Sequence, residues 1–119
     1  MKYIKNLSAL FFALFAFQFS FAQSAIQDSI MVNGNCGMCK KTIEKSALAA
    51  GATTATWNKT TKFLNVSYDP SKSNSTKIQS AVAESGYDTE DFKASDKAYK
   101  GLKECCQYER KELNEPKKN

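Results

Sequence analysis

Between Ile26 and Ala50 the apolar residues change period, and that change limits the possible folds more than any other feature of the sequence. Ile26, Ile30 and Val32 occupy even positions, the alternation of a strand with one buried face, and the pattern stops at Asn33, Gly34 and Asn35. From Cys39 the spacing becomes helical: Cys39, Ile43, Ala47 and Ala50 share one face, and Gly51 ends the run. A Thr-rich alternation up to Trp57, a polar turn at 58–61 and a return strand bearing Leu64, Val66 and Tyr68 predict a hairpin closed by Asp69 and Pro70. Thr76 with Gln79 has the form of a capping box, so a second helix is expected, with Ile78, Ala81, Val82 and Ser85 inward and Gly86 as its stop. "YDTEDF" predicts a short last strand. The order β-α-β-β-α-β is the split arrangement of the ferredoxin-like fold. The expected architecture is α+β: a four-stranded antiparallel sheet with two helices on one face, and Trp57, Leu64, Val66 and Ile78 in the core.

The chain ends carry different information. Lys2 and Lys5 precede an apolar run from Leu7 to Ala22, and Ser20 and Ala22 are small residues at −3 and −1 of a cut that would leave Gln23 first. This predicts a signal peptide over 1–22 and export, since the run is shorter than the roughly 20 residues of a membrane span. About 97 residues then remain, enough for one small domain with one core. Residues 23–92 balance seven lysines against seven carboxylates, while 93–119 carry eight basic and five acidic side chains. A neutral domain with a mildly basic, acid-interleaved tail offers no electrostatic footprint for nucleic acid. The tail charge is expected to be a solvated face. Residues 94–113 predict one further helix, with Tyr99, Leu102, Cys106 and Leu113 toward one side and Gly101 weakening it.

Four cysteines, Cys36, Cys39, Cys105 and Cys106, carry the remaining chemistry. Cys36 and Cys39 fall between the first strand and the first helix, where backbone N–H groups and the helix dipole favour thiolate. Lys40 and Lys41 add positive charge nearby. Thiolate binds metal and also attacks disulfides, so the spacing alone leaves both open. Ligand type narrows the metal: the chain has no histidine, which excludes imidazole sites and leaves soft ions such as Cu(I), Hg(II), Zn(II) and Cd(II), or iron–sulfur chemistry. Two thiolates half fill a tetrahedral zinc site, whereas Cu(I) and Hg(II) accept nearly linear coordination, which favours a carried ion over a structural one. Without histidine or a carboxylate pair, hydrolytic chemistry has no support.

The strand, Cys-x-x-Cys loop, helix, hairpin with "FLNVSYDP" and second helix ending in "ESGY" resemble the heavy-metal-associated domain over residues 26–92. That family includes copper chaperones, modules of P-type ATPases and periplasmic mercury-binding proteins. The resemblance implies that Cys36 and Cys39 are metal ligands and that Tyr87 lies beside the metal loop. It implies a domain spanning 23–93; the helical Cys-Cys tail over 94–119 falls outside the family core. The loop departs from the family pattern, which usually has methionine two residues before the first cysteine. Here that position is Gly34, and Met38 falls between the cysteines, where its thioether is a candidate neighbour of the metal. Met31 is a candidate replacement for the buried support.

Three readings of Cys105 and Cys106 stay open: ordinary packing, completion of a three- or four-sulfur site, and exchange with the Cys36–Cys39 pair. In a continuous helix the two side chains point about 100° apart, which disfavours both on one ion. A disulfide staple between the two pairs is also possible for an exported chain. The function expected from the sequence is an exported, periplasmic, non-enzymatic protein that binds Cu(I), or Hg(II), Zn(II) or Cd(II). It would exchange the ion with a membrane metal transporter or another thiol-rich protein. The rival is a thiol–disulfide oxidoreductase, since "CGMC" is one residue from Cys-Gly-Pro-Cys. Against it, no tryptophan precedes Cys36, and neither Pro70 nor Pro116 suits a cis-proline facing the loop.

Overall fold

The computed structural model describes residues 24–110, so the expected signal segment and the 111–119 end lie outside the described residues. Strands β1 (Ile26–Met31), β2 (Ala52–Trp57) and β3 (Phe63–Tyr68) form an antiparallel sheet in the order β1-β3-β2. Helix α1 (Gly37–Ala49) links β1 to β2, and α2 (Ser75–Glu84) follows β3. The register places Leu64 between Ile30 on one side and Trp57 on the other, and all three are buried. Ile43, Ala47, Ile78 and Val82 of the helices complete that core. The two expected helix stops hold: Gly51 and Gly86 have φ of +106° and +107°, in the region glycine adopts without a Cβ penalty.

Three sequence expectations change in detail. Ile26 begins an edge strand and is 42% exposed, so the alternating core starts at Ile30. The cap of α2 is Asn74, whose side chain accepts from the Lys77 N–H, and not the Thr76–Gln79 box. Gln79 is buried and bonds Thr89 Oγ1, the Asp91 N–H and the Asp91 carboxylate. The fourth strand shrinks to one antiparallel bridge, Val32 with Thr89. Its physical cause is local: Thr89 N–H bonds Phe92 O at 2.7 Å and Gln79 grips Asp91, so the chain turns away before a ladder can form.

The tail departs furthest from its expected single helix. Ser95 caps a short helix α3 (Asp96–Lys100) by accepting from the Ala98 N–H, and Gly101 ends it. A single 3-10 turn, Glu104–Cys106, follows. The segment then packs onto the domain through Tyr108, which is 3% exposed. Its hydroxyl donates to Gly86 O and accepts from the Asp88 N–H, both at 2.8 Å. Tyr108 stacks on Tyr87 with ring centroids 5.8 Å apart and meets Tyr99 edge-on at 5.1 Å. Arg110, expected to lie on a solvated face, is bound to Asp88, Asp96 and the Ala94 carbonyl, while the tail lysines 93, 97, 100 and 103 are exposed.

Candidate metal centre

Cys36 is the N-cap of α1. Its extended backbone (φ −146°) turns the chain into the helix, and its sulfur accepts from the Cys39 N–H at 3.4 Å. A thiolate in this place meets unpaired N–H groups and the positive end of the helix dipole. Cys39, three residues on, is fully buried on the inner face of α1. The Cys36 and Cys39 sulfurs stand 3.0 Å apart, and the Cys39 thiol donates to Asn35 Oδ1 at 3.3 Å.

The loop before the helix is held from below and from the side. Trp57 donates through Nε1 to Val32 O at 3.1 Å, and its ring lies directly beneath Gly34. A Cβ at Gly34 would stand 3.0 Å from that ring and 3.2 Å from Ile43 Cδ1, so the indole fills the space under the loop. Trp57 therefore supplies the buried support, and Met31, partly buried at the end of β1, is not needed for it. Lys62 crosses the same ring and donates to Gly34 O at 2.5 Å. Nothing in the sequence marks Lys62 for this work. Its role appears only when the hairpin turn is brought against the loop.

Cys106 joins the pair. Its sulfur lies 3.4 Å from that of Cys36, and the Cys36, Cys39 and Cys106 sulfurs all fall within 4.8 Å of one another. Cys106 is 4% exposed, whereas Cys105 is exposed, with its sulfur 3.8 Å from that of Cys106 and 3.9 Å from Met38 Sδ. The tail thus brings one thiol into the cluster and leaves the other outside, beside the half-exposed Met38. Tyr87 is buried, with its hydroxyl beside Cys39 and Cys106. All four cysteines are free thiols, so the alternative of a disulfide staple between the two pairs is not formed.

The electrostatics separate the thiols. Burial alone would raise the Cys36 pKa, but hydrogen bonds from the Cys39 side chain and N–H, from Cys106 and from the Met38 N–H outweigh it and lower it to about 7. Lys40 has a different use from the one expected: its ammonium bonds Glu44 at 2.7 Å and Trp57 O at 3.0 Å, tying α1 to β2. Cys106 goes the other way. Burial first, then hydrogen bonding to Cys36, Cys39 and Cys105, pushes it up to about 12. The Tyr87 hydroxyl is held neutral by burial first and then by the neighbouring Cys39 and Cys106. One ready thiolate flanked by two buried thiols, with no imidazole, is a soft donor set. It fits a thiophilic ion and offers little to a hard one.

No protein-family profile and no curated protein matches the sequence. Solved structures do. A CopZ metallochaperone is 32% identical, with a TM-score of 0.51, and the match covers 98% of that chain and 54% of this one. The solution structure of copper-S46V CopA from Bacillus subtilis is 30% identical, with a TM-score of 0.50, over 93% of that chain and 58% of this one. Oxidized MerP from Ralstonia metallidurans CH34 shares the fold at 24% identity and a TM-score of 0.52, over 94% and 56%. Near-complete coverage of the metallochaperone at this identity, together with the paired thiols on the loop before α1, places the chain in the heavy-metal-associated domain family.

Proposed function

We propose that this protein is an exported carrier or buffer of a thiophilic metal ion, Cu(I) before Hg(II), Zn(II) or Cd(II), with Cys36 and Cys39 as its ligands. The observation that carries the reading is the Cys36 thiol at the cap of α1, lowered to about 7 and 3.0 Å from the Cys39 sulfur. The ion is cargo: a partly exposed first ligand lets an incoming thiolate attack the metal and remove it. Similarity to a CopZ metallochaperone and to a copper-bound CopA domain supports Cu(I). By the same similarity the exchange partner is a membrane metal transporter or another thiol-rich protein. The apolar leader at 1–22 supports delivery outside the cytoplasm, into a periplasm, with the domain over 23–93 and the tail over 94–119.

The test is a Cu(I) competition titration against bathocuproine under reducing conditions. The intact mature chain is expected to take up Cu(I), and the Cys36→Ser/Cys39→Ser variant to lose that uptake. Equal uptake by both would overturn the reading. The same low-pKa pair also serves a dithiol oxidoreductase, so insulin reduction is measured in parallel. Rapid turnover with weak Cu(I) retention would favour that rival.

A further inference from the structure

The docked tail places a third sulfur where a two-thiol carrier has none, and the bonds that dock it are too many and too specific for a loose end. Tyr108 fills a buried position with both hydroxyl bonds satisfied, and Tyr99 Oη donates to its carbonyl. Arg110 holds the buried Asp88 through two parallel bonds, at 2.8 and 2.7 Å. That paired geometry fixes orientation as well as distance. Between these anchors and α3, the 3-10 turn aims Cys106 inward over Cys36 and leaves Cys105 outside.

From this arrangement we infer that the tail is a latch that supplies Cys106 as a third thiolate to the ion held by Cys36 and Cys39. The inference rests on the metal-carrying reading above and specifies its coordination. A zinc–thiolate bond of about 2.3 Å can serve as a gauge, and three sulfurs around one ion then stand about 4.0 Å apart. The observed spacings of 3.0 Å, 3.4 Å and under 4.8 Å reach that value through shifts of roughly 1 Å or less. Cys105 does not join, because its sulfur is exposed and turned toward Met38. Three thiolates on one soft ion carry net negative charge. The N-terminus of α1 and the Tyr87 hydroxyl lie beside it, and both favour that charge. Arg110 and Tyr108 act as positioning residues: they touch no sulfur but set where Cys106 stands. Handover then begins at the latch. An incoming thiolate replaces Cys106, the tail lifts, and the ion passes to the partner with no change in its oxidation state.

The experiment is X-ray absorption of the Cu(I)-loaded mature chain, paired with bathocuproine competition, all under reducing conditions. The intact protein is expected to show three sulfurs per copper, and Cys106→Ser two. Loss of a ligand should cost at least as much as loss of an outer-shell partner, so Cys106→Ser should weaken Cu(I) at least about tenfold. Cys105→Ser should match the intact protein in both readouts. Arg110→Ala, which keeps every cysteine, should shift the sulfur count toward two, and Arg110→Lys should restore part of it. Unchanged sulfur number and affinity in Cys106→Ser would overturn the latch while leaving the two-thiol carrier intact. Full Cu(I) retention by Cys36→Ser/Cys39→Ser would instead overturn the carrier reading itself.

Discussion

Arg110 closes on Asp88 across 22 residues, its Nε and one terminal nitrogen meeting the two carboxylate oxygens at 2.8 and 2.7 Å. The Asp88 side chain is 5% exposed and that of Arg110 26%, so the pair lies at the boundary between the domain and its tail. A second terminal nitrogen reaches Asp96, and the guanidinium lies over the Tyr99 ring at 5.0 Å. One side chain thus fastens the tail to the segment that follows α2.

This pair predicts how the tail responds to acid. Burial would raise the Asp88 pKa, but the Arg110 bonds, the Ala94 N–H and the Arg110 and Lys93 charges outweigh it, leaving it below the ordinary 3.8. A carboxylate with a depressed folded pKa contributes stability that is fully present above its unfolded value and lost as pH falls through the folded one. The tail should stay docked at pH 5 and release only below pH 3.8, read by limited proteolysis after Lys103 or by tyrosine near-UV dichroism. Arg110→Ala leaves the carboxylate without its cation and should cost about 2 kcal/mol, below the roughly 3–5 kcal/mol of a fully buried pair because Arg110 keeps some water contact. A melt within about 0.5 kcal/mol of the intact protein would refute this.

The central part of the fold was legible in the sequence because periodicity reports burial. Cys39, Ile43, Ala47, Leu64 and Val66 are all buried as their spacing predicts. What the sequence hid depends on contacts between distant segments. Gln79 has the spacing of a capping partner, yet its amide is satisfied by Thr89 and Asp91, which no local pattern foretells. The tail reads as a helix by propensity, but Gly101 ends α3, and the aromatic contacts of Tyr108 and the charge of Asp88 fix the rest. The site divided in the same way. Cys36 and Cys39 were visible as a spaced pair at a helix start, whereas which of Cys105 and Cys106 faces them is set only by the docked turn.

The divergent thiols predict ordered chemical modification of the metal-free protein. Cys36, lowered to about 7, should react with iodoacetamide at a rate that rises through a midpoint near pH 7. Cys106, pushed up to about 12 and 4% exposed, should stay unlabelled at that pH. Thiolate is the nucleophile, so the rate follows its fraction. Peptide mass spectrometry of a pH series reads both sites together. Equal labelling of the two would contradict this electrostatic picture. Bound Cu(I) should protect Cys36 in proportion to loading.

Gly34 tests the support beneath the loop. Gly34→Ala puts a methyl group 3.0 Å from the Trp57 ring and 3.2 Å from Ile43 Cδ1, closer than ordinary contact. Trp57 is fixed through Nε1 to Val32 O and through its N–H to Glu44, so it has little room to yield. Overpacking of this kind costs about 1–3 kcal/mol. The variant should melt lower by that amount, and Trp57 fluorescence should change in the folded state. Trp57→Phe removes the Nε1 bond but frees space, so combining the two changes should cost less than their sum. Full additivity would show that the ring and the loop do not press on each other.

Tyr87 joins the domain to the cluster, which makes it the sharpest probe of how charge is stabilised there. Its hydroxyl lies beside Cys39 and Cys106, while its ring stacks on Tyr108. Tyr87→Phe keeps the ring and the stack and removes only the donor. The folded state should survive with a small loss, no more than the about 1 kcal/mol of a neutral hydrogen bond. Metal retention should fall further. A donor to a metal thiolate acts as an outer-shell partner, and its loss commonly costs about 10–100-fold in affinity. Competition titration with Cu(I) and a thermal melt of the metal-free chain separate these effects. A drop in affinity matched by an equal drop in stability would mean that the hydroxyl only supports the fold. An affinity loss of about tenfold or more beside a small melting shift would place its action on the sulfurs.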